Sequence, residues 1–473
     1  MTSPALLDRA AGVLLGLAAG DALGAGYEFA APPTAEPAMI GGGLGPWEPG
    51  EWTDDTQLAL CIAIEAATGD LDPEAVGDRF IRWLSDGASD VGIQTRSVLS
   101  AARHGSELVA LTRAHFERHP RHSAGNGSLM RTAPVALAYL GDDARIAEAA
   151  REISSLTHAD SLTGDACVLW CIGIDRAVRE ARLDGIRDGL VLLDTQARSR
   201  WASWLDEAEC GPPAAFRENG FVVTVLQAAY AAISCTLIPH RDPCRHLERA
   251  LHAAVNIGHD TDTVAAIAGS LLGARWGASA IPLRWRRMLH GWPGLTARDL
   301  VRLAVLTVRR GRPDSIGWPA TSDLLPYYAS EYPVPPIAAS LPADDGVVLA
   351  NAAGIHATAA EVVISLCRMG ATPLDAGEHH DVWLVDSPDP ADNPNLAFVL
   401  ADTADAIADA RRRDQRVLLH CVRAESRTPA VAAAYLIRHH GRSPDEALAQ
   451  VRQVLPTAEP NAAFRAALDL LAT

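Results

Sequence analysis

Seven prolines fall between residues 313 and 342 (Pro313, Pro319, Pro326, Pro333, Pro335, Pro336 and Pro342), and they divide the chain. Proline lacks a backbone donor and disrupts both a helix interior and a central strand. No single core is expected to run through such a stretch, so 313–344 reads as a linker. A chain of 473 residues is long enough for two or three cores. Upstream, in 1–312, apolar residues recur at helical spacing over 57–67, 73–84, 144–155, 165–181, 223–234 and 263–276. Ser3-Pro4 places a cap residue and a first-turn proline at the start of the first helix. The expectation is an all-α domain. Downstream, in 345–473, strand and helix alternate. Stretches 347–349, 381–385 and 416–420 read as buried strands, and 357–368, 396–412 and 428–439 as helices. That predicts an α/β domain with a central sheet flanked by helices.

Composition removes several classes. The net charge is −17, which makes a poor nonspecific nucleic-acid binder. Nucleic acid stays open only as a substrate held in a local pocket. The apolar run 10–19 follows Asp8-Arg9 and stops before Asp21, so no signal peptide is expected. No uncharged run is long enough to span a bilayer, and no membrane partner is expected. The eight cysteines are scattered without a C-x-x-C pair, which fits a reducing cytoplasm better than a disulfide framework. There is no lysine: all 41 basic residues are arginine. That removes the P-loop lysine, the kinase lysine and any Schiff-base lysine.

Four clusters in the helical part carry chemistry. Trp52-Thr53-Asp54-Asp55-Thr56 stands just before an apolar helix. Its ordinary reading is a helix start, with Thr53 as cap and the acids favoured by the helix dipole. Gly258-His259-Asp260-Thr261-Asp262-Thr263 repeats that pattern before an Ala- and Gly-rich helix, and two such clusters are harder to explain as caps. Gly20-Asp21-Ala22-Leu23-Gly24, with Glu28 following, puts acids at a helix end where the dipole disfavours them. Gly125-Asn126-Gly127-Ser128-Leu129-Met130-Arg131 offers exposed amides and polar donors suited to a phosphate or sugar. Carboxylates and threonine hydroxyls without His or Cys at ligand spacing make an all-oxygen site, which favours Mg²⁺, Mn²⁺ or Ca²⁺ over Zn²⁺.

These motifs, with Thr157-His158-Ala159-Asp160, occur in the order that resembles the ADP-ribosylglycohydrolase family, which includes the dinitrogenase-reductase-activating glycohydrolase. The resemblance covers nearly all of the first 300 residues. It implies an all-α fold, two Mg²⁺ (or Mn²⁺) ions, and cleavage of the bond between ribose and an acceptor. By motif position it implies Thr53, Asp54, Asp55 and Asp262 around one metal. By the same resemblance Glu28, Asp260, Asp262 and Thr263 would hold the other, with Asp262 bridging. It places Asn126, Gly127 and Ser128 at the substrate, the latter two at the diphosphate, and His158 nearby. His158 also has a plain reading as a buried structural histidine. Asp55 and Glu28 are the candidates for water activation and acceptor-side proton transfer.

The C-terminal part carries His420-Cys421-Val422-Arg423-Ala424-Glu425-Ser426-Arg427-Thr428-Pro429 between an apolar strand and a helix. Amides of such a loop converge on an anion, and the same field stabilises a nucleophilic thiolate at Cys421. Arg427 can grip two phosphate oxygens, and Ser426 can hydrogen-bond the sulfur as it leaves. The pattern resembles the dual-specificity and tyrosine phosphatases over about 345–473. That resemblance implies an upstream aspartate as general acid: Asp389 fits best, with Asp386 and Asp392 beside it. Ala424 replaces the family's usual glycine, and Glu425 adds a negative charge to the loop.

The expected protein is therefore a two-domain enzyme. Its helical part removes ADP-ribose from a protein, arginine first, or from a small-molecule conjugate. Its C-terminal part acts on a phosphorylated substrate. Two other readings use the same residues: a phosphatase with a helical docking domain, and an ADP-ribose binder without turnover.

Overall fold

A computed structural model describes residues 3–320, 323–370, 372, 374 and 376–472. The chain forms two compact units. One comprises Leu6–Ile281 and Met288–Arg312. The other is built from the chain beyond Pro313, with Pro282–Arg287 and the first residues up to Ala5.

The first unit is helical, with one two-stranded ribbon, His290–Gly291 paired with Leu295–Thr296. Its spine is the pair Pro4–Gly24 and Thr261–Trp276. The first of these is long and apolar enough to cross a membrane, but 89% of its most apolar stretch is buried within the protein. It packs as a core helix because glycine recurs every fourth residue: Gly12 faces Gly273, Gly16 faces Gly269, Gly20 faces Ala265 and Gly24 faces Asp262. At each of these a β-carbon would run into the opposing backbone, so the helices meet main chain to main chain. The pairing is antiparallel. It sets the C-terminal end of the first helix, with Asp21, against the N-terminal end of the other, with Asp262.

In the second unit a five-stranded sheet has the order Ala338–Leu341, Asp344–Asn351, Val417–Cys421, Val362–Ser365, Glu378–Asp381. The first pair is antiparallel and the other three are parallel. Every residue of the central strand Val417–Cys421 is buried. Helices Leu396–Arg412, Arg427–His440, Pro444–Val454 and Ala462–Leu471 flank the sheet.

Three sequence readings change here. The strand read at 381–385 lies earlier, at Glu378–Asp381, and is half-buried rather than buried. The stretch 357–368, read as a helix, contains the strand Val362–Ser365, because it pairs in parallel with Val417–Cys421 and Glu378–Asp381. The stretch read as a linker, 313–344, carries the helix Leu325–Glu331 and the edge strand Ala338–Leu341. Its prolines fall outside strand interiors, as their missing donor requires.

Candidate functional site

The helix Asp54–Ala66 is capped from outside. Thr53 is its N-cap residue but makes no side-chain cap bond. Instead the Asp21 carboxylate accepts the backbone N–H of Thr53 (3.0 and 3.1 Å) and of Thr56 (3.0 Å), and the Thr56 hydroxyl (2.5 Å). This corrects the reading of Thr53 as a cap and explains an acid at a helix C-terminal end: Asp21 serves the next helix's N-terminus. Burial raises Asp21 to about 6, with those hydrogen bonds acting against the rise.

The Thr53 hydroxyl is thereby released to the acids, donating to Asp55 Oδ2 (3.2 Å) and Asp262 Oδ2 (3.4 Å). Thr263 donates its hydroxyl to the same Asp55 oxygen (3.3 Å). Two sets of three carboxylates each bring oxygens within 4.8 Å of one another: Asp21, Asp55 and Asp262, and Glu28, Asp260 and Asp262. Asp262 belongs to both. Asp21 has its oxygens committed to Thr53 and Thr56, so Asp55 and Asp262 are the free donors of the first set. Asp54 lies outside both sets, on the first turn of its helix.

This donor set fits divalent cations. Asp55 Oδ1 and Glu28 Oε2 are buried without a hydrogen-bond partner among the described residues, which is costly for a carboxylate that nothing else neutralises. Burial first, then neighbouring carboxylates, push Asp54, Asp55 and Asp262 well above the ordinary carboxylate range. The same causes raise Glu28 to about 8. Such a cluster requires either protons or cations, and its donors are all hard oxygen.

Two contributors were not read from sequence. The buried Asn219 accepts the Asp260 N–H at Oδ1 (3.1 Å) and donates to Gly258 O (3.0 Å), fixing the loop that presents Asp260. Asp90, raised by burial and by Asp260, adds its charge to those felt by Glu28 and Asp54. Both stand alone in unremarkable loops and carried no signal.

The glycine loop closes one side. Asn126 donates to Asp260 Oδ2 (2.7 Å), so substrate loop and acidic cluster are directly joined. Ser128 is buried and turns its hydroxyl into the core, where Ser154 donates to it (3.0 Å). Gly127 lies against His158: a β-carbon there would sit 3.2 Å from the imidazole Cε1. Arg131, read from sequence as a donor of this loop, is fully buried over the Phe80 ring (4.3 Å) and donates to Thr157 Oγ1 (2.6 Å).

In the second unit the strand Val417–Cys421 delivers Cys421 to a tight loop. Ala424 adopts φ +59°, a left-handed conformation that explains the usual glycine, and its N–H donates to Cys421 Sγ (3.3 Å). Glu425 pairs with Arg423 (2.8 Å), which answers its charge within the loop. Arg427 donates to Leu366 O (2.7 Å). Of the three aspartates, the structure brings Asp386 to the loop: its Oδ1 accepts Ser426 (2.7 Å) and Asn461 (3.2 Å), and its Oδ2 lies 3.7 Å from Arg427 Nε. Asp389 caps its own turn through Ala391 N–H (2.9 Å), and Asp392 lies within that turn. His420 is buried and neutral, its Nε2 bonded to Ser365 (2.7 Å), with burial lowering it to about 3.

Residues 2–314 match the family model described as ADP-ribosylglycohydrolase, and residues 368–472 match the dual specificity phosphatase catalytic domain. Over 292 residues the chain is 30% identical to the ADP-ribosyl-[dinitrogen reductase] glycohydrolase of Rhodospirillum rubrum, covering 60% of this chain and 91% of that one. It is 31% identical over 291 residues to the ADP-ribosylarginine hydrolase Tri1 of Pseudomonas putida, covering 60% and 75%. A solved ADP-ribosylglycohydrolase-related protein complex is 30% identical, covering 65% of this chain and 99% of that chain, with a TM-score of 0.49.

Proposed function

Because this chain belongs to the ADP-ribosylglycohydrolase family and carries a dual specificity phosphatase catalytic domain, we propose that its helical unit is a Mg²⁺- or Mn²⁺-dependent hydrolase that releases ADP-ribose from protein arginine. The observation that carries this reading is the sharing of Asp262 between two sets of carboxylates, one buried and one partly buried. Thr53, Asp55 and Asp262 would hold one cation, with Asp54, whose charge Asp55 feels, as the further ligand that its motif implies. Glu28, Asp260, Asp262 and Thr263 would hold the other. Bound cations supply the positive charge that lets these acids coexist and that polarises sugar hydroxyls and water. Asp55 Oδ1 is the unclaimed oxygen able to take a proton from an attacking water. Glu28 is the candidate for proton transfer to the departing acceptor. Asn126 ties the sugar-binding loop to Asp260, so substrate and acids are positioned together. Arginine as acceptor is supported by the likeness to the Pseudomonas hydrolase.

For the second unit the same reading makes Cys421 the nucleophile toward phosphorus, Arg427 and the loop amides the phosphate grip, and Ser426 a donor to sulfur. Asp386, at the loop, gives a proton to the leaving oxygen.

The deciding experiment measures free ADP-ribose released from arginine-ADP-ribosylated protein, with Mg²⁺ and with EDTA, beside Asp262→Ala. Release that requires both the cation and Asp262 supports the hydrolase. No release from arginine-, serine- and O-acetyl-linked substrates alike overturns it.

A further inference from the structure

Arg131 is a buried cation with no ion pair among the described residues. Its Nε and Nη1 have no hydrogen-bond partner among them, and its guanidinium lies over Phe80. Its one polar contact among the described residues is Nη2 to Thr157 Oγ1 at 2.6 Å. Thr157 Oγ1 lies in turn 2.8 Å from His158 Nδ1. Gln94 holds the Thr157 carbonyl (2.7 Å), and the His158 N–H bonds to Ser154 O (2.9 Å), so the backbone carrying both side chains is fixed.

Only one proton arrangement satisfies this chain. Arginine can only donate, so Thr157 Oγ1 accepts from it. The single Thr157 hydroxyl proton has one acceptor among the described residues, His158 Nδ1. Were Nδ1 protonated instead, that buried hydroxyl would be left without an acceptor, at a cost of about 1–3 kcal/mol. Burial, then Arg131, lowers His158 to about 3, so the ring is neutral. The proton must then sit on Nε2. That nitrogen has no protein partner among the described residues and faces the glycine loop, where β-carbons on Gly127 and Gly125 would lie 3.4 and 3.7 Å from it.

We propose that Arg131 and Thr157 are positioning residues that hold His158 in its Nε2–H form, so that it donates a hydrogen bond to an oxygen of the ADP-ribosyl group at loop 125–127. The inference rests on the hydrolase reading for its ligand, but not for its proton arrangement. It makes His158 a donor that reads the substrate and excludes it as a base. It also explains why the loop has no side chain at Gly125 and Gly127: one would cover the donor.

The test uses the full chain with ¹⁵N-labelled histidine, the His158 signal being the one lost in His158→Gln. The expected spectrum shows a neutral ring protonated at Nε2 and unchanged between pH 6 and 8. Thr157→Val should abolish this single form and weaken ADP-ribose binding about tenfold, whereas Thr157→Ser, which restores the hydroxyl, should bind within about twofold of the original. A ring protonated at Nδ1, or one that titrates near neutrality, overturns the relay, and so does a failure of serine to rescue. An Nε2–H ring in a protein that binds no ADP-ribose overturns the ligand contact together with the hydrolase reading.

Discussion

Thr56 gives both its backbone N–H (3.0 Å) and its hydroxyl (2.5 Å) to a single oxygen, Oδ2 of Asp21. One side chain at the end of the first helix thus completes the start of the next. Thr56→Val keeps the shape and the backbone bond but removes the hydroxyl. Urea unfolding should show a loss of about 1–2 kcal/mol, while Asp21→Ala, which strips the cap from three donor groups, should cost more. A Thr56→Val protein as stable as the original would contradict this role.

The seam between Pro4–Gly24 and Thr261–Trp276 predicts a second effect. A β-carbon at Gly20 meets the Ala265 backbone, and one at Gly24 lies 2.5 Å from Asp262 Cα. Gly20→Ala should destabilise the protein by about 3 kcal/mol through overpacking. This is opposite in sign to the usual gain from alanine within a helix. Denaturant midpoints of the two proteins decide the matter.

Without cations, Glu28 at about 8 and Asp21 at about 6 stand above the ordinary carboxylate range, chiefly through burial. The folded protein then holds protons that the unfolded chain releases. Their contribution is full below pH 4, falls as pH rises through 6, and is lost beyond 8. In EDTA the Tm should drop by roughly 3–6 °C between pH 5 and 8, and Mg²⁺ at pH 8 should restore it. A metal-free Tm that rises over this range would refute the assignment.

In the phosphatase domain Asp386 meets the Cys421 loop and Asp389 does not. With an aryl phosphate substrate, Asp386→Asn should lower kcat about a hundredfold, and Asp389→Asn should leave it within about twofold. Cys421→Ser should abolish turnover. The reverse ranking of the two aspartates would return the acid role to Asp389.

Much of this was legible in the chain, for identifiable reasons. Helical periodicity and clustered prolines are local signals, and the acids around Asp262 could be collected because their motifs are contiguous. The strand Val362–Ser365 was read as helix because its place depends on pairing with Val417–Cys421, more than fifty residues away. The task of Asp21 lay equally out of reach, since its donors stand on another helix. Asp386, Asp389 and Asp392 occur at equal intervals, and only the packing of their loop on Ser426 and Asn461 separates them. Arg131 was placed in the substrate loop by neighbourhood alone, while burial turned it toward Phe80 and Thr157.

The four-residue glycine spacing along the first helix works as a ruler. Sliding one helix by a single residue would thrust leucines into the seam. Sliding it by a full repeat would reseat the glycines but carry Asp21 and Glu28 about 6 Å along the axis, out of reach of Asp262. One alignment alone both closes the seam and assembles the acids. A folding chain that finds the first has found the second, before any substrate arrives.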